Sequence, residues 1–569
     1  MWHGKEERGY SLRVLFYYRG SEHFGVQSII SYVKNKGHTV ELIYDPALGD
    51  NGYLDFPVAN NLLNKLFCND KLIIEKAKRF QPDLIAFSAI TNLYLPITKL
   101  ARKFKKVLDV PIIIGGIHPT SLPEYVIKED CYDMVCIGEG EEPLAEVLQR
   151  LEEKQSYTDV KNLWVKDESG KVHKNPKRPI IKSLDSIPFG DKTLFDNYGA
   201  LTSRIMLMTT RGCPFECTFC VNSYRNSLYT GEIYLRQRSV PNVIDNLLQL
   251  KNTYQPKAFR FLDDVFAFNL KWLIEFKDAY SKHINLPFHG NITPSTAKDN
   301  VLKLLSEAGC TSLSMGVQSG SEEIRTKLLH RKHTDESIVE AAQKMKKYGI
   351  KLHAEYIFGF PEETPEDMWK SLDLNDRLDA VNAASFIFYP YPKTELQEYC
   401  LKKGYLSKEK YELVKEGHGS YHTTGWLDLP YMDEVYKFSK ILPVYNVTPK
   451  FLKPLLRKIL KLKYGFIHKL IYVFAIPLID FDEFVIRVKD IPRMFFRTRR
   501  ALKIDTWDKP SPTTSVERKI EPVHNQKSES ITYHGNKAKI RSKAYQWKPK
   551  INPNYGVASK KERTNSGKA

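Results

Sequence analysis

Three of the chain's eight cysteines fall within one short stretch, Arg211-Gly212-Cys213-Pro214-Phe215-Glu216-Cys217-Thr218-Phe219-Cys220. Three thiolates on one loop are the donors of a metal centre that lacks a fourth ligand, since the next cysteines are Cys310 and Cys400. A structural zinc site closes with four protein ligands, and an electron-transfer iron–sulfur cluster usually takes four cysteines. An incomplete zinc knuckle is one reading of the triplet. The other is a cluster with one open iron, where a small molecule can bind and receive an electron. The apolar run Ile205 to Met208 leads into the loop and Gly212-Cys213-Pro214 supplies the turn. The thiols therefore stand just past a strand.

This spacing, with Phe219 directly before the last cysteine, resembles the cluster loop of the radical S-adenosylmethionine (SAM) superfamily. The resemblance implies a 4Fe-4S cluster on Cys213, Cys217 and Cys220, with SAM's amino and carboxylate groups on the open iron and Phe219 in the cofactor site.

A strand from Arg204 and others at 258–262, 288–292, 312–317, 351–358 and 384–389 alternate with helical stretches. About six strand–helix units predict a partial (β/α)6 TIM-type barrel with its functional groups at the strand C-termini. The resemblance to the radical SAM core covers roughly residues 200–400. It implies contacts to SAM or substrate from Asp263 and Asp264, from Gln318 and Ser319, and from Glu355, which alternates with His353 on one face. Neighbouring residues at a strand end point opposite ways, so only one of the two aspartates should face the pocket. Cys310 reads as a core thiol.

Upstream, strands at 12–17, 39–44, 84–88, 112–114 and 134–137 alternate with helices. That pattern predicts a doubly wound parallel-sheet, Rossmann-like domain with its ligand beyond the C-terminal strand ends. Ser88 to Thr91, Gly115-Gly116-Ile117-His118 and Gly138-Glu139-Gly140-Glu141 fall there, and glycine permits close backbone approach to a large flat ligand. The set resembles the cobalamin-binding domain that precedes many radical SAM cores. It implies a cobalamin site built from Ser88, Thr91, Gly115, Gly116, His118, Gly138, Glu139 and Gly140. There is no Asp-x-His-x-x-Gly motif, so His23, His38 and His118 are not expected to ligate cobalt, and His118 reads as a turn residue at the pocket rim.

The α/β chain thus divides into a cobalamin domain at 10–150, a linker with a hairpin signal at 151–199, a radical SAM core at 200–430, a helical basic segment at 431–504 and a disordered basic tail at 505–569. Residues 441–569 hold 28 basic and 10 acidic residues, which accounts for nearly all of the net charge of +19. The catalytic body is near neutral, and no nucleic acid is expected on it. The cysteine pattern suits a reducing compartment, Met1 to Tyr10 lacks an apolar signal core, and no run reaches the roughly 20 apolar residues of a spanning helix. A cytoplasmic location is expected. From Lys450 to Leu478 basic and apolar residues interleave, as in a basic amphipathic helix lying on an anionic membrane. Peripheral membrane contact through 450–500 is one expectation; a helical cap on the barrel with solvated lysines is the other.

The resemblance implies reductive cleavage of SAM to a 5'-deoxyadenosyl radical, with an electron donor such as flavodoxin or ferredoxin. It further implies methylcobalamin-dependent methylation of an unactivated carbon in a small-molecule or lipid substrate. A cobalamin-using oxidative cyclase stands beside it, as does a non-catalytic iron–sulfur and corrinoid carrier or membrane-surface scaffold. A methylthiotransferase is disfavoured, because Cys68, Cys131 and Cys136 do not resemble the ligands of a second cluster.

Overall fold

The computed structural model describes residues 11–47, 69–229, 231–479 and 481–505. Met1 to Tyr10, Cys68 and the tail from residue 506, on which three of the expectations above fall, lie outside the described residues.

Val14 to Tyr18 is apolar along its whole length and buried on both faces, as a parallel strand covered by helices on either side must be. This strand, β1 (Arg13–Arg19), lies beside β2 (Thr39–Asp45), β3 (Leu84–Ser88), β4 (Ile112–Gly115) and β5 (Met134–Cys136) in the order β2-β1-β3-β4-β5, all parallel. The order reverses between β1 and β3, where a doubly wound sheet opens its crevice. The hairpin anticipated as a linker does not stand apart. Its strands β6 (Leu163–Lys166) and β7 (Val172–Lys174) pair antiparallel onto β5 and complete a seven-stranded sheet.

The second half begins with β8 (Arg204–Leu207) and a short antiparallel pair, β9 (Thr210–Arg211) and β10 (Arg236–Gln237). The strands β11 (Ala258–Phe261), β12 (Phe288–Ile292), β13 (Cys310–Gln318), β14 (Lys351–Phe358) and β15 (Asn382–Ile387) then join β8 in one six-stranded parallel sheet. Sequential strands are neighbours throughout, so the sheet is an open part of a barrel with helices outside. In β14, Leu352, Ala354, Tyr356 and Phe358 are buried, whereas His353, Glu355 and Ile357 form the half-buried opposite face. The alternation follows from the two-residue strand period.

The helix Met432–Val447 packs along β15 and β14 and covers the open edge. The basic stretch after it is two helices, Lys453–Leu460 and Phe466–Ile479, where the sequence suggested one. The last helix, Phe481–Lys503, returns to the first sheet. There the fully buried Lys76 donates through Nζ to the Ala501 carbonyl (2.7 Å) and Arg79 donates to that of Leu502 (3.0 Å). Two side chains of the N-terminal domain thus satisfy carbonyls at a helix C-terminus. The C-terminal segment ties the chain's two halves together.

The turn after β14 carries a pH-sensitive contribution to stability. Glu363 is fully buried and accepts the N–H groups of Gly359 (2.6 Å) and Phe360 (3.3 Å), yet burial outweighs these bonds and raises its carboxyl to about 8. Between the ordinary glutamate value of ~4.3 and about 8, only the folded state holds this proton. Stability contributed by the group should therefore fall as pH rises through that window. Glu363→Gln should flatten the slope; urea midpoints at both ends of the window, for both proteins, measure it. Parallel slopes would show that Glu363 ionises freely in the fold.

Candidate active site

Asp263, just past β11, fixes the entry to the cysteine loop. It is fully buried, and its Oδ1 accepts the Thr209 N–H (2.8 Å), the Thr209 hydroxyl (2.9 Å) and the Thr210 hydroxyl (2.5 Å). Oδ1 is thus committed to the backbone and hydroxyls just past β8, while the buried Oδ2 has no hydrogen-bond partner among the described residues. Asp264 points the other way, onto the wall of a large cavity. There its carboxyl is raised by partial withdrawal from water, against opposing effects of Asn222 and Arg225.

Gly212 turns the chain from β9 into the cysteines at φ 95°, and an added Cβ would lie 3.0 Å from Tyr234. Cys220 donates its N–H to the Cys217 carbonyl (3.1 Å) and opens the helix Val221–Leu228. Thr218 donates to the Leu328 carbonyl (2.7 Å) and accepts the Leu396 N–H (3.0 Å), which pins the loop across the barrel mouth. Phe219 packs edge-on against Phe360 with ring centroids 5.8 Å apart. The buried Arg331 approaches Cys217 Sγ at 3.6 Å and donates to the Gly316 carbonyl (2.7 Å).

All three thiols are free. Burial pushes Cys213 up to about 12 and Cys220 up to about 11, so ligation must displace their protons. Among the described residues, the donor group whose atoms lie within 4.8 Å of one another is Glu129, Asp130 and Cys131, not the cysteine triplet. Three thiols with no fourth cysteine nearby in sequence do not make up the four protein ligands of a structural zinc site, and the donor set fits a thiolate-held cluster with one open position.

Between the two halves lies a cavity of about 580 Å³, inside the ~300–1,000 Å³ range of small-molecule and cofactor sites. Its walls come from the C-terminal ends of β1, β3, β4 and β5 on one side and from the segment around β8 and β9 on the other. Ser88, Gly115, Gly116, Gly138, Glu139, Gly140 and Asp264 line it. Thr91 and His118 do not: both are buried, and His118 lies beneath Tyr94 with ring centroids 4.3 Å apart. The reading of His118 as a rim residue is corrected accordingly. Ser319 is also fully buried, accepting the Ser321 N–H through its hydroxyl (3.2 Å), while Gln318 ends β13 at φ 72°. Glu355 lies on the inner barrel face away from this cavity, its carboxyl raised by burial.

The glycines also serve a purpose other than the one anticipated. A Cβ on Gly116 would lie 2.6 Å from the Ala89 carbonyl, and one on Gly138 would lie 2.2 Å from the Tyr229 hydroxyl. Both positions need glycine for the chain's own packing. Gly138 is where the barrel half, through Tyr229, touches the first domain.

An ionic clasp reinforces that contact. Glu139 accepts from Arg211 (2.9 Å) and from Arg236 (2.7 and 3.1 Å), and Glu141 pairs with Arg211 and accepts from Ser28 (2.7 Å). Burial alone would raise Glu139, but Arg236 and Arg211 together lower it, so it stays ionised. Arg211 stands two residues before Cys213.

Two family models match this chain: Radical SAM superfamily over residues 207–374 and B12 binding domain over residues 20–148. The chain is 31% identical over 358 residues to the uncharacterized methyltransferase PH0819 of Pyrococcus horikoshii, a match covering 62% of this chain and 76% of the relative. The chain is a B12-binding radical SAM protein. Similarity extends to the anaerobic magnesium-protoporphyrin IX monomethyl ester cyclase of Rubrivivax gelatinosus, 25% identical over 64% of this chain and 66% of that one. The solved radical SAM methyltransferase TsrM from Kitasatospora setae, with cobalamin and a [4Fe-4S] cluster bound, shares the fold at TM-score 0.54 and 18% identity. That match covers 69% of this chain and 78% of TsrM.

Several residues of this radical SAM protein's site had no local signal. Arg211, Arg225, Tyr229, Tyr234 and Arg238 reach the cavity from the barrel half, and Thr120 lines it while accepting the Gly138 N–H (3.1 Å). His23 also lines it, but its Nδ1 accepts the Val26 N–H (3.2 Å) as a helix cap. Burial lowers this ring to about 4, so it is neutral near pH 7 with its proton on Nε2.

His118 yields a direct prediction. Both ring nitrogens are buried without a protein partner, and burial lowers its pKa to about 3. Replacing an unsatisfied polar group by an apolar one removes a desolvation cost of about 1–3 kcal/mol. His118→Leu should melt at or above the wild-type temperature and bind as much corrinoid. A drop in bound corrinoid with the fold intact would assign the imidazole to the cofactor.

Proposed function

We propose that this protein is a methyltransferase that holds a 4Fe-4S cluster on Cys213, Cys217 and Cys220, SAM beside it, and cobalamin in the interdomain cavity. Its substrate is a small molecule or lipid methylated at an unactivated carbon. When bound, these cofactors supply reductive SAM cleavage to a 5'-deoxyadenosyl radical and a methyl group for transfer. The observation that carries the reading is the shared wall: Arg211 and Asp264 of the barrel half face the same cavity as Gly138 and Glu139 of the first domain.

The chain's own residues have defined parts in this scheme. Arg331 directs a guanidinium N–H at Cys217 Sγ, a contact that favours electron density on that sulfur. Asp264 offers an acceptor on the wall, and Arg211 with Glu139 closes the domain boundary so that a reactive species meets protein and not bulk water. Neither Gln318 nor Glu355 borders this cavity; we assign both to SAM or substrate at the barrel mouth and inner face.

The cyclase similarity supports a second reading, cobalamin-dependent ring formation without methyl transfer. The two are separated by reconstituting the protein anaerobically with iron, sulfide and hydroxocobalamin, reducing it with flavodoxin or ferredoxin, and supplying methyl-labelled SAM to candidate substrates. Label in product supports methylation; product without label supports cyclisation. No 5'-deoxyadenosine from reduced, fully loaded protein would leave only a carrier role. We place the protein in the cytoplasm, with peripheral membrane contact through residues 450–500. Among the described residues no helix is long and apolar enough to cross a membrane.

A further inference from the structure

The helices Lys453–Leu460 and Phe466–Ile479 bury one side in the protein, through Leu456, Leu460 and Ala475. Their other side is apolar as well. Phe451 is 80% exposed, Phe466 74% and Phe474 72%, with Leu455, Leu462 and Leu470 also exposed. Phe466, Leu470 and Phe474 recur every four residues, so they form one stripe along their helix. A helix that merely caps a barrel directs polar residues outward, and contiguous exposed apolar surface marks an interaction site.

Charge identifies the partner. Residues 449–475 contain no aspartate or glutamate, and Lys450, Lys458, Lys461 and Lys463, in the segment that leads into the stripe, are exposed. Lys453 and Arg457 are separate, being held by Asp373 and Asp376. A second copy docking through the same face would set these lysines against each other with no acid to pair. An anionic bilayer accepts both components, aromatic side chains into the headgroup–acyl boundary and ammonium groups toward the phosphates.

The patch is firmly mounted. The buried Lys437 donates to the Leu460 and Leu462 carbonyls (both 2.9 Å), fixing the turn between the two helices. Tyr464 in that turn stacks on Tyr436 at 5.8 Å, and Val435 packs at Gly359, just past the end of β14. The Phe466 end of the stripe is therefore fixed to the part of the wall nearest the barrel mouth.

We propose that this face docks on an anionic phospholipid bilayer, giving the enzyme a membrane-surface orientation set by the two helices. The test is co-sedimentation of the full chain with phosphatidylcholine vesicles, with and without phosphatidylglycerol, at low and high salt. Two variants accompany it, Phe466→Asp/Phe474→Asp and Lys458→Glu/Lys461→Glu/Lys463→Glu, with vesicle-free SAM cleavage as a folding control that neither should change.

The expected result is binding to phosphatidylglycerol vesicles that weakens with salt and drops about tenfold or more in each variant, as a mixed apolar and electrostatic contact requires. No binding of the wild type, or variants that bind like it, would overturn the proposal; the second outcome would assign binding to another part of the chain. A wild-type dimer that the phenylalanine variant converts to monomer, without vesicle binding, would overturn it in favour of a second copy.

Discussion

Replacing Cys213, Cys217 or Cys220 by alanine should each remove the iron–sulfur centre and with it SAM cleavage, lowering 5'-deoxyadenosine formation by about 100-fold or more. Outer-shell changes at metal sites cost about 10–100-fold, and losing one of three protein ligands should exceed that. The loop itself should survive. Asp263 holds Thr209 and Thr210, Asn226 donates to the Cys213 carbonyl (3.2 Å), and Thr218 is pinned on both sides, none of which uses a thiol. The variants should therefore fold and retain corrinoid while lacking iron. Cys310 is the control: it is buried and its Sγ donates to the Ser312 carbonyl (3.5 Å), so Cys310→Ala should lose some stability but no iron. Iron, sulfide and corrinoid assays on the four variants decide the matter. Full iron content in a triplet variant would place the cluster elsewhere.

What the sequence made legible is what short-range pattern controls. The three cysteines are close in sequence, so their convergence needs no tertiary knowledge. In β14 buried and half-buried residues alternate with a two-residue period, and Val14 to Tyr18 of β1 is apolar and buried throughout, so these strands follow from local pattern. The pair Asp263-Asp264 marks the limit. That only one faces the pocket follows from strand geometry, but which one depends on hydroxyls at Thr209 and Thr210, 54 and 53 residues away. His118 and Thr91 show a related limit: each turn at a strand end has an inner and an outer side, and these two residues lie buried on the inner one, off the cavity wall. The glycines line the cavity, and Gly138, at φ 85°, also meets the Tyr229 hydroxyl from the other half, a contact that no local pattern shows. Contacts such as Lys76 with the Ala501 carbonyl, 425 residues apart, leave no local trace at all.

Glu139 couples the two halves through Arg211 and Arg236, and removing its charge should have a large effect. The carboxylate faces Arg211 and Arg236, and the side chains of Glu139 and Arg236 are only 9% and 7% exposed. A pair this buried belongs to the regime in which deleting one partner costs about 3–5 kcal/mol, because the other charge stays behind unpaired. Glu139→Gln should therefore lower unfolding stability by that order; an exposed pair would cost under about 1 kcal/mol. The double variant Glu139→Gln/Arg236→Met should recover part of the loss, since it no longer strands a guanidinium, and the cycle isolates the pair. Function should separate as well. The cysteine loop keeps its anchors at Asp263 and Thr218, so SAM cleavage should persist. Arg211 loses one of its two acidic partners, and corrinoid retention and methyl transfer should fall together. If cleavage and transfer instead decline in equal measure, Glu139 acts on the fold as a whole and not on the register between the two cofactor sites.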